Sequence, residues 1–350
     1  MLASSGVDWF GRSEGFAGGG AVVHVCQGEH HEFLGCVKAH PPLTGDKLRE
    51  LLCVAPEVRD RLVVRFGAEV LAWCDELPAL VDQLAARWDL ELVAAGGGGT
   101  SRVFRCFKRD TRTSAWLKLT PETGIAREEA EALRAWERTP SVVTLLAQDL
   151  TVGALLLEDV EPGVQVSRSA WNLAEVAALL RDLRDLRDPA PAPGEHSVLR
   201  RLSHRVDFVF DLTDRRLAAR DVNDPAATKV LRQARAAALE LAGNGPVGLV
   251  HGDLHPANVL SGPGARLVAI DPRPTWGDPD FDAVDWVLEG VADQAVLERR
   301  VEELAALVPG MSPRRVLGWC RALAALVAVP RTCAGRDDAE TRFLKALADN

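Results

Sequence analysis

Three polar residues stand close together in the stretch "HGDLHPANVL", His251 to Leu260, and in "VAIDPRP", which begins eight residues further on. They are Asp253, Asn258 and Asp271. Neither the period of 2 nor that of 3.6 that a packed core imposes calls for polar residues at these places. Phosphoryl transfer does. It needs a carboxylate to accept the proton of an attacking hydroxyl, oxygen ligands for Mg²⁺, and a cation on the nucleotide phosphates. Asp253 is the candidate base. Asn258, five residues later, can turn its amide oxygen back onto a metal ion, and Asp271, at the end of a β-like run, offers a charged second ligand. The glycines of "SGPG" allow the hairpin that would bring 258 and 271 together.

Other parts of the same chemistry precede this segment in the order in which kinases carry them. A glycine-rich turn of Gly97, Gly98 and Gly99, with Ser101 just beyond it, comes before a strand lysine, Lys118 in "AWLKL". Glu129, on the helix that follows, can pair with that lysine; Glu128 and Glu131 are its rivals. An apolar strand then runs into a linker near Glu158 and Val160. The glycine run reads "GGGGTS" and departs from G-x-G-x-x-G, so the amides that cradle phosphate are not assigned within it.

These parts resemble the aminoglycoside phosphotransferase branch of the protein-kinase-like fold, and more narrowly its streptomycin and hydroxyurea kinase group. "HGDLHPANVL", "AIDPRPTWGDPDFDA", "WLKL" with "EAEALRAW", and "LPALVDQLAARWDL" carry the resemblance, from about residue 54 to 325. It implies an α+β, two-lobed kinase-like fold, ATP and Mg²⁺ as cofactors, and transfer to a hydroxyl of an antibiotic-like small molecule. In that reading adenine lies against the linker at Glu158–Val160, Lys118 holds the α and β phosphates, and Glu129 orients Lys118. A kinase acting on another small acceptor is the first alternative, and a nucleotide-binding pseudokinase module the second.

Residues flanking the motif raise separate expectations. His255 is a candidate for substrate or phosphate contact, and His251 for a structural ring that holds the loop. Asp282 reads as a helix-start residue that braces the catalytic loop. Asp278, Asp280 and Asp285 could form an acidic wall for a cationic acceptor; the alternative is a solvated helix face.

The elements that must position these residues are legible in outline. Residues 54–89 read as two helices, the text around the glycine run as strand, turn, strand, and "SAWLKLT" as a strand. "AREEAEALRAWERT" has Leu133 and Trp136 on one face and reads as a helix. Two further strands join at Thr151–Gly153, and helical text dominates after Val166. The expected division is an extension over 1–50, a strand-rich lobe over 51–160, and a helical lobe over 161–350 carrying the catalytic and metal loops.

Composition narrows the function classes. With 350 residues, 47% apolar and 26% charged, the chain reads as an ordinary globular protein of about two lobes. Its 41 basic against 50 acidic residues argue against nucleic acid as a partner. Seven cysteines without regular spacing suit reduced thiols, and neither a signal peptide nor an apolar run of membrane length is visible. A cytoplasmic monomer or homodimer is the expectation. Residues 1–50 hold half of the eight histidines and no sustained periodicity. They read as a disordered extension, a zinc site at Cys26, His30, His31, Cys36 and His40 being the sharper alternative, and a near P-loop at Gly6–Ser13 lacks its lysine.

Overall fold

A computed structural model describes residues 51–96, 101–168, 171–186 and 197–349. The extension over 1–50 and the glycines 97–99 lie outside them, and with them the zinc and P-loop readings.

Helices α1 (Pro56–Phe66) and α2 (Val70–Arg87) lead into a five-stranded antiparallel sheet. Its strands are β1 (Leu90–Gly96), β2 (Arg102–Lys108), β3 (Ser114–Leu119), β4 (Leu145–Asp149) and β5 (Ala154–Glu158), in spatial order β1-β2-β3-β5-β4. Helix α3 (Thr123–Ala135) interrupts the strands after β3.

Strand alternation gives the sheet two faces. Ala115, Leu117 and Leu119 of β3, with Ala154 and Leu156 of β5, join a core with α1 and α2. Leu155 and Leu157 face the other way and join the core of α3 and the helical lobe. The two cores are therefore divided by the faces of β5. Lys118 lies between Leu117 and Leu119 and points with Trp116 to the side of the larger core.

The larger lobe is built from α4 (Leu173–Arg184), α5 (Leu202–Ala218), α6 (Pro225–Gly243), α7 (Val284–Leu288), α8 (Gln294–Leu307), α9 (Pro313–Cys333) and α10 (Ala339–Ala348). Short strands carry the loops between them: β6 (Arg200–Arg201), β7 (Gly248–Val250), β8 (Val259–Ser261), β9 (Leu267–Ala269) and β10 (Thr275–Gly277). Strand β10 pairs with β7 and β6, and β8 forms a hairpin with β9. Helix α9 has the length and hydropathy of a membrane span, but it is the core helix of this lobe, with Val316, Trp319, Cys320 and Leu323 buried among its neighbours.

Candidate active site

Glycine at 252 lets the loop that carries Asp253 close against the loop that carries Asp271. Its φ is +75°, and a Cβ there would lie 2.2 Å from the backbone oxygen of Arg273. The amide of Arg273 in turn donates to the His251 carbonyl at 2.8 Å. From this crossing Asp253 projects at the mouth of the loop. Its Oδ1 accepts from Arg205 Nη2 at 3.1 Å and its Oδ2 from Asn258 Nδ2 at 3.1 Å. Arg205 also donates to the Gly252 carbonyl at 3.0 Å, so one guanidinium from α5 holds both the backbone and the carboxylate.

The hairpin register explains why Asn258 and Asp271 meet. Val259 pairs with Ala269, and the Ile270 amide donates to the Asn258 carbonyl at 2.9 Å. The turn is closed by the Gly262 amide donating to the Arg266 carbonyl at 2.7 Å, with Gly264 at φ +66°. Asp271 follows directly, itself in the left-handed region at φ +55°, a conformation aspartate tolerates better than most residues. Segment 141–143 ties this hairpin to the sheet: the Ala269 amide donates to the Ser141 carbonyl at 2.9 Å, and the Val143 amide to the Ala269 carbonyl at 3.0 Å.

Lys118 crosses from the sheet to this loop. Its Nζ lies 2.8 and 2.6 Å from the two Glu129 oxygens and 2.7 Å from Asp271 Oδ1. Glu129 belongs to the buried stripe of Ala126, Ala130 and Leu133 on α3, where an unpaired carboxylate would be costly. Burial works against the Lys118 ammonium, but Asp271 and Glu129 outweigh it, and its pKa is raised. The rivals are otherwise engaged: Glu128 lies 3.6 Å from Arg200, and Glu131 accepts from the Val198 amide at 2.9 Å.

Three supports hold the loop from behind. Asp282 accepts from the His251 and Gly252 amides at 2.7 and 2.9 Å, the bracing role expected of it. Burial pushes its carboxyl up to about 7, against the pull of those two amides. The His251 ring is buried, held down to about 4 by that burial, and stacks on Trp136 at 6.2 Å. His255 is also buried, its Nδ1 accepting from the Ala257 amide at 3.2 Å, so this ring caps the turn that carries Asn258.

The remaining expected residues fall in different places. Ser101 is buried ahead of β2. Glu158 accepts from the Thr144 amide at 3.0 Å, and Val160 is buried at the lobe junction. The acidic wall fails. Asp278 is fully buried, accepting from Arg315 Nε at 2.7 Å and Trp319 Nε1 at 2.8 Å. Asp280 is buried between Arg184 Nη2 at 2.9 Å and the Ser312 amide at 3.0 Å. Asp285 is buried on α7. Asp278 and Asp280 tie elements of the lobe together, and the three buried acids form neither an acceptor wall nor a solvated face.

Sequence reading missed Arg205, Arg273 and Asp159. Arg273 lies 3.6 Å from Asp271, and its "DPRP" context gave a signal that went unused. Asp159 ties the linker to β2 and β3 through Arg105 at 2.8 Å and Trp116 at 2.7 Å.

The donor set fits a hard cation: one carboxylate and one amide oxygen, with water and phosphate oxygens able to complete the shell. The Asn258 amide nitrogen is committed to Asp253, which directs its oxygen the other way. Among the described residues no cluster of three or more His, Cys, Asp or Glu forms a self-sufficient metal cage.

With this geometry stands a family match. The family of aminoglycoside/hydroxyurea antibiotic resistance kinases matches residues 87–335. The chain belongs to that family. A streptomycin 6-kinase of Streptomyces glaucescens is 32% identical over 268 residues, 73% of this chain and 82% of that protein. A hydroxyurea phosphotransferase of Kitasatospora aureofaciens is 31% identical over 260 residues, 72% of each. Among solved structures, a choline/ethanolamine kinase family protein from Mesorhizobium loti superposes with a TM-score of 0.53 at 19% identity, over 77% of this chain and 95% of that one. Choline kinase LicA from Streptococcus pneumoniae does so with a TM-score of 0.52 at 14% identity, over 78% and 98%. The fold is protein-kinase-like, and the chain is a phosphotransferase with an alcohol group as acceptor.

Proposed function

We propose that this kinase transfers the γ-phosphoryl group of ATP, as its magnesium complex, to a hydroxyl of a small antibiotic-like molecule of the streptomycin or hydroxyurea type. The observation that carries the reading is the buried Lys118–Glu129 pair bridged to Asp271 beside Asp253 and Asn258. A structural ion pair needs only two partners. A lysine shared between a helix carboxylate and a loop carboxylate suits one that exchanges the loop partner for phosphate and metal.

ATP would supply the phosphoryl group, and Mg²⁺ would neutralise charge on its oxygens. Lys118 would hold the α and β phosphates, with Glu129 keeping it aimed. Asn258 and Asp271 would hold the metal. Asp253 would accept the proton of the acceptor's hydroxyl, and Arg205 and Asn258 keep its two oxygens in place. The linker at Glu158–Val160 lies along the adenine side. Asp282, His251 and His255 fix the loop without touching substrate.

The test is ADP release and label transfer from γ-labelled ATP, with streptomycin, hydroxyurea and amino sugars as acceptors, with and without Mg²⁺. Magnesium-dependent labelling of one acceptor class is expected. Failure to bind ATP at all would sink the reading.

A further inference from the structure

Two cations converge on one carboxylate oxygen. Lys118 Nζ lies 2.7 Å from Asp271 Oδ1, and Arg273 Nη2 lies 3.6 Å from the same atom. Lys118 arrives from the sheet and is held there by Glu129 on α3. Arg273 arrives from the short run between Asp271 and β10. Its backbone is constrained by the sequence. Pro272 and Pro274 stand on either side of it, and a residue before proline is driven towards extended backbone. The Arg273 amide donates to the His251 carbonyl at 2.8 Å, and Thr275 opens the pairing of β10 with β7 opposite Val250. The guanidinium is therefore carried on a segment anchored at both ends, against the loop that holds Asp253.

Its charge lies between the two halves of the cleft. On one side it acts on Lys118 and Glu129, the pair proposed for the nucleotide. On the other it acts on Glu128 and on Arg65, whose guanidinium carbon lies 4.6 Å from the centre of the Phe208 ring of α5. Burial works against the Arg273 charge, but Asp271, Asp253, Glu129 and Glu128 together outweigh it, and its pKa is raised. The side chain is only 13% exposed, so this cation stands in a fixed place. Arg205, the other arginine at the loop, is committed to the Gly252 carbonyl and to Asp253. A phosphoryl group passing from a nucleotide on Lys118 to a hydroxyl at Asp253 has to cross the space that Arg273 borders.

We propose that Arg273 is a further catalytic residue of this kinase, its guanidinium holding the oxygens of the γ-phosphoryl group during transfer. The proposal rests on the kinase reading above. Both cations would give up Asp271 Oδ1 to the metal, Lys118 for the α and β phosphates and Arg273 for the oxygens on the γ phosphorus. In the transfer the acceptor oxygen bonds to the γ phosphorus, and the bond from that phosphorus to the β–γ bridging oxygen breaks. The electron pair of the broken bond leaves with ADP, and the hydroxyl proton passes to Asp253. Arg273 exchanges no proton. Its planar fork matches two oxygens at once and stabilises the negative charge spread over them.

The test compares two nucleotides on the intact chain at saturating Mg²⁺: ADP, and a non-hydrolysable ATP analogue that adds the γ phosphate. Binding of each is followed by calorimetry in wild type, Arg273→Met and Arg273→Lys. Arg273→Met should weaken the analogue about tenfold, the loss of one charge-assisted contact, and leave ADP within about twofold. Arg273→Lys keeps the charge and loses the fork, so its analogue affinity should fall between the other two. Label transfer to the acceptor should drop about 10²- to 10³-fold in Arg273→Met. An arginine that only supports the fold would weaken both nucleotides together. An analogue affinity that is unchanged, or that falls by the same factor as that of ADP, overturns the proposal, and so does wild-type transfer in a folded Arg273→Met. Should Arg273→Met not fold, Arg273→Lys decides: a selective loss of analogue affinity supports the proposal and its absence overturns it. Failure of the kinase reading looks different, because wild type itself would bind neither nucleotide.

Discussion

Glu129→Gln removes one charge from the centre of the site while keeping its shape. Lys118 Nζ has two contacts to Glu129, at 2.8 and 2.6 Å, and one to Asp271 at 2.7 Å. Breaking a buried pair outright costs about 3–5 kcal/mol. Here glutamine retains an acceptor oxygen and Asp271 still takes the ammonium, so the loss approaches that of one charged hydrogen bond, about 1.5–3 kcal/mol. If that energy positions Lys118 on the nucleotide, kcat/KM for ATP falls about 10- to 150-fold. The Mg²⁺ requirement rises as well, because a lysine that has lost Glu129 leans on Asp271 and competes with the metal for its carboxylate. The assay is coupled ADP release at saturating acceptor, with ATP and Mg²⁺ varied in turn. Burial pushes the Glu129 carboxyl up while Lys118 draws it down. Were the carboxyl protonated in the working enzyme, glutamine would mimic it and change little. A folded variant with unchanged ATP KM and unchanged Mg²⁺ requirement would refute the assignment of Glu129 as the residue that aims Lys118.

Asp253→Ala should lose turnover by roughly 10²–10⁴ while ATP still binds in a thermal-shift titration; wild-type turnover would remove Asp253 from the proton transfer. Asp271→Asn should be more damaging at low Mg²⁺ than at high, because excess metal offsets a weakened ligand; a defect independent of Mg²⁺ would move Asp271 out of the metal site. The pH dependence of stability should separate His251 from Asp282. His251, lowered by burial to about 4, contributes stability present above the ordinary histidine value and lost as pH falls through 4, about 3 kcal/mol at most. Asp282, raised by burial to about 7, contributes stability present below the ordinary aspartate value and lost as pH rises through 7, about 4 kcal/mol at most. The two slopes oppose each other between pH 4 and 6.5. Urea midpoints of His251→Gln should therefore fall with rising pH across that window, and those of Asp282→Asn should rise; parallel profiles would show that neither group is perturbed as described.

Where function demands a residue type at a fixed place, the sequence was legible. Asp253, Asn258 and Asp271 meet because a hairpin of fixed register joins them, and the glycines that permit the hairpin are visible in the text. Glu129 was favoured over Glu128 and Glu131 by its distance from Trp136 in "EAEALRAW", and the structure adds the physical reason, since it lies on the buried stripe of Ala126, Ala130 and Leu133, where a carboxylate needs a partner. The helices and strands of the smaller lobe follow their periodicity closely. What was not legible depends on tertiary packing. Asp278, Asp280 and Asp285 look like a solvent-facing acidic run in one dimension, yet Arg315, Arg184 and Trp319, distant in sequence, draw the first two inward. The short pairing of β6 with β10 is likewise set by the loops it joins and has no period of its own.

Arginine is the hardest residue type to read in this chain. It outnumbers lysine 35 to 6, so no single arginine stands out, and Arg65 sits in a helix whose pattern only announces that one face is buried. Its meaning comes from Phe208, more than a hundred residues away on the other lobe. The same holds for acceptor choice in general. The related kinases are named for streptomycin and for hydroxyurea at nearly the same identity to this chain, 32% and 31%, so overall similarity does not rank the acceptors. The proposed base and metal ligands are confined to two loops of the matched region, and Lys118 reaches them from the sheet while Glu129 holds it from α3, so the parts shared with these relatives carry no mark of the acceptor.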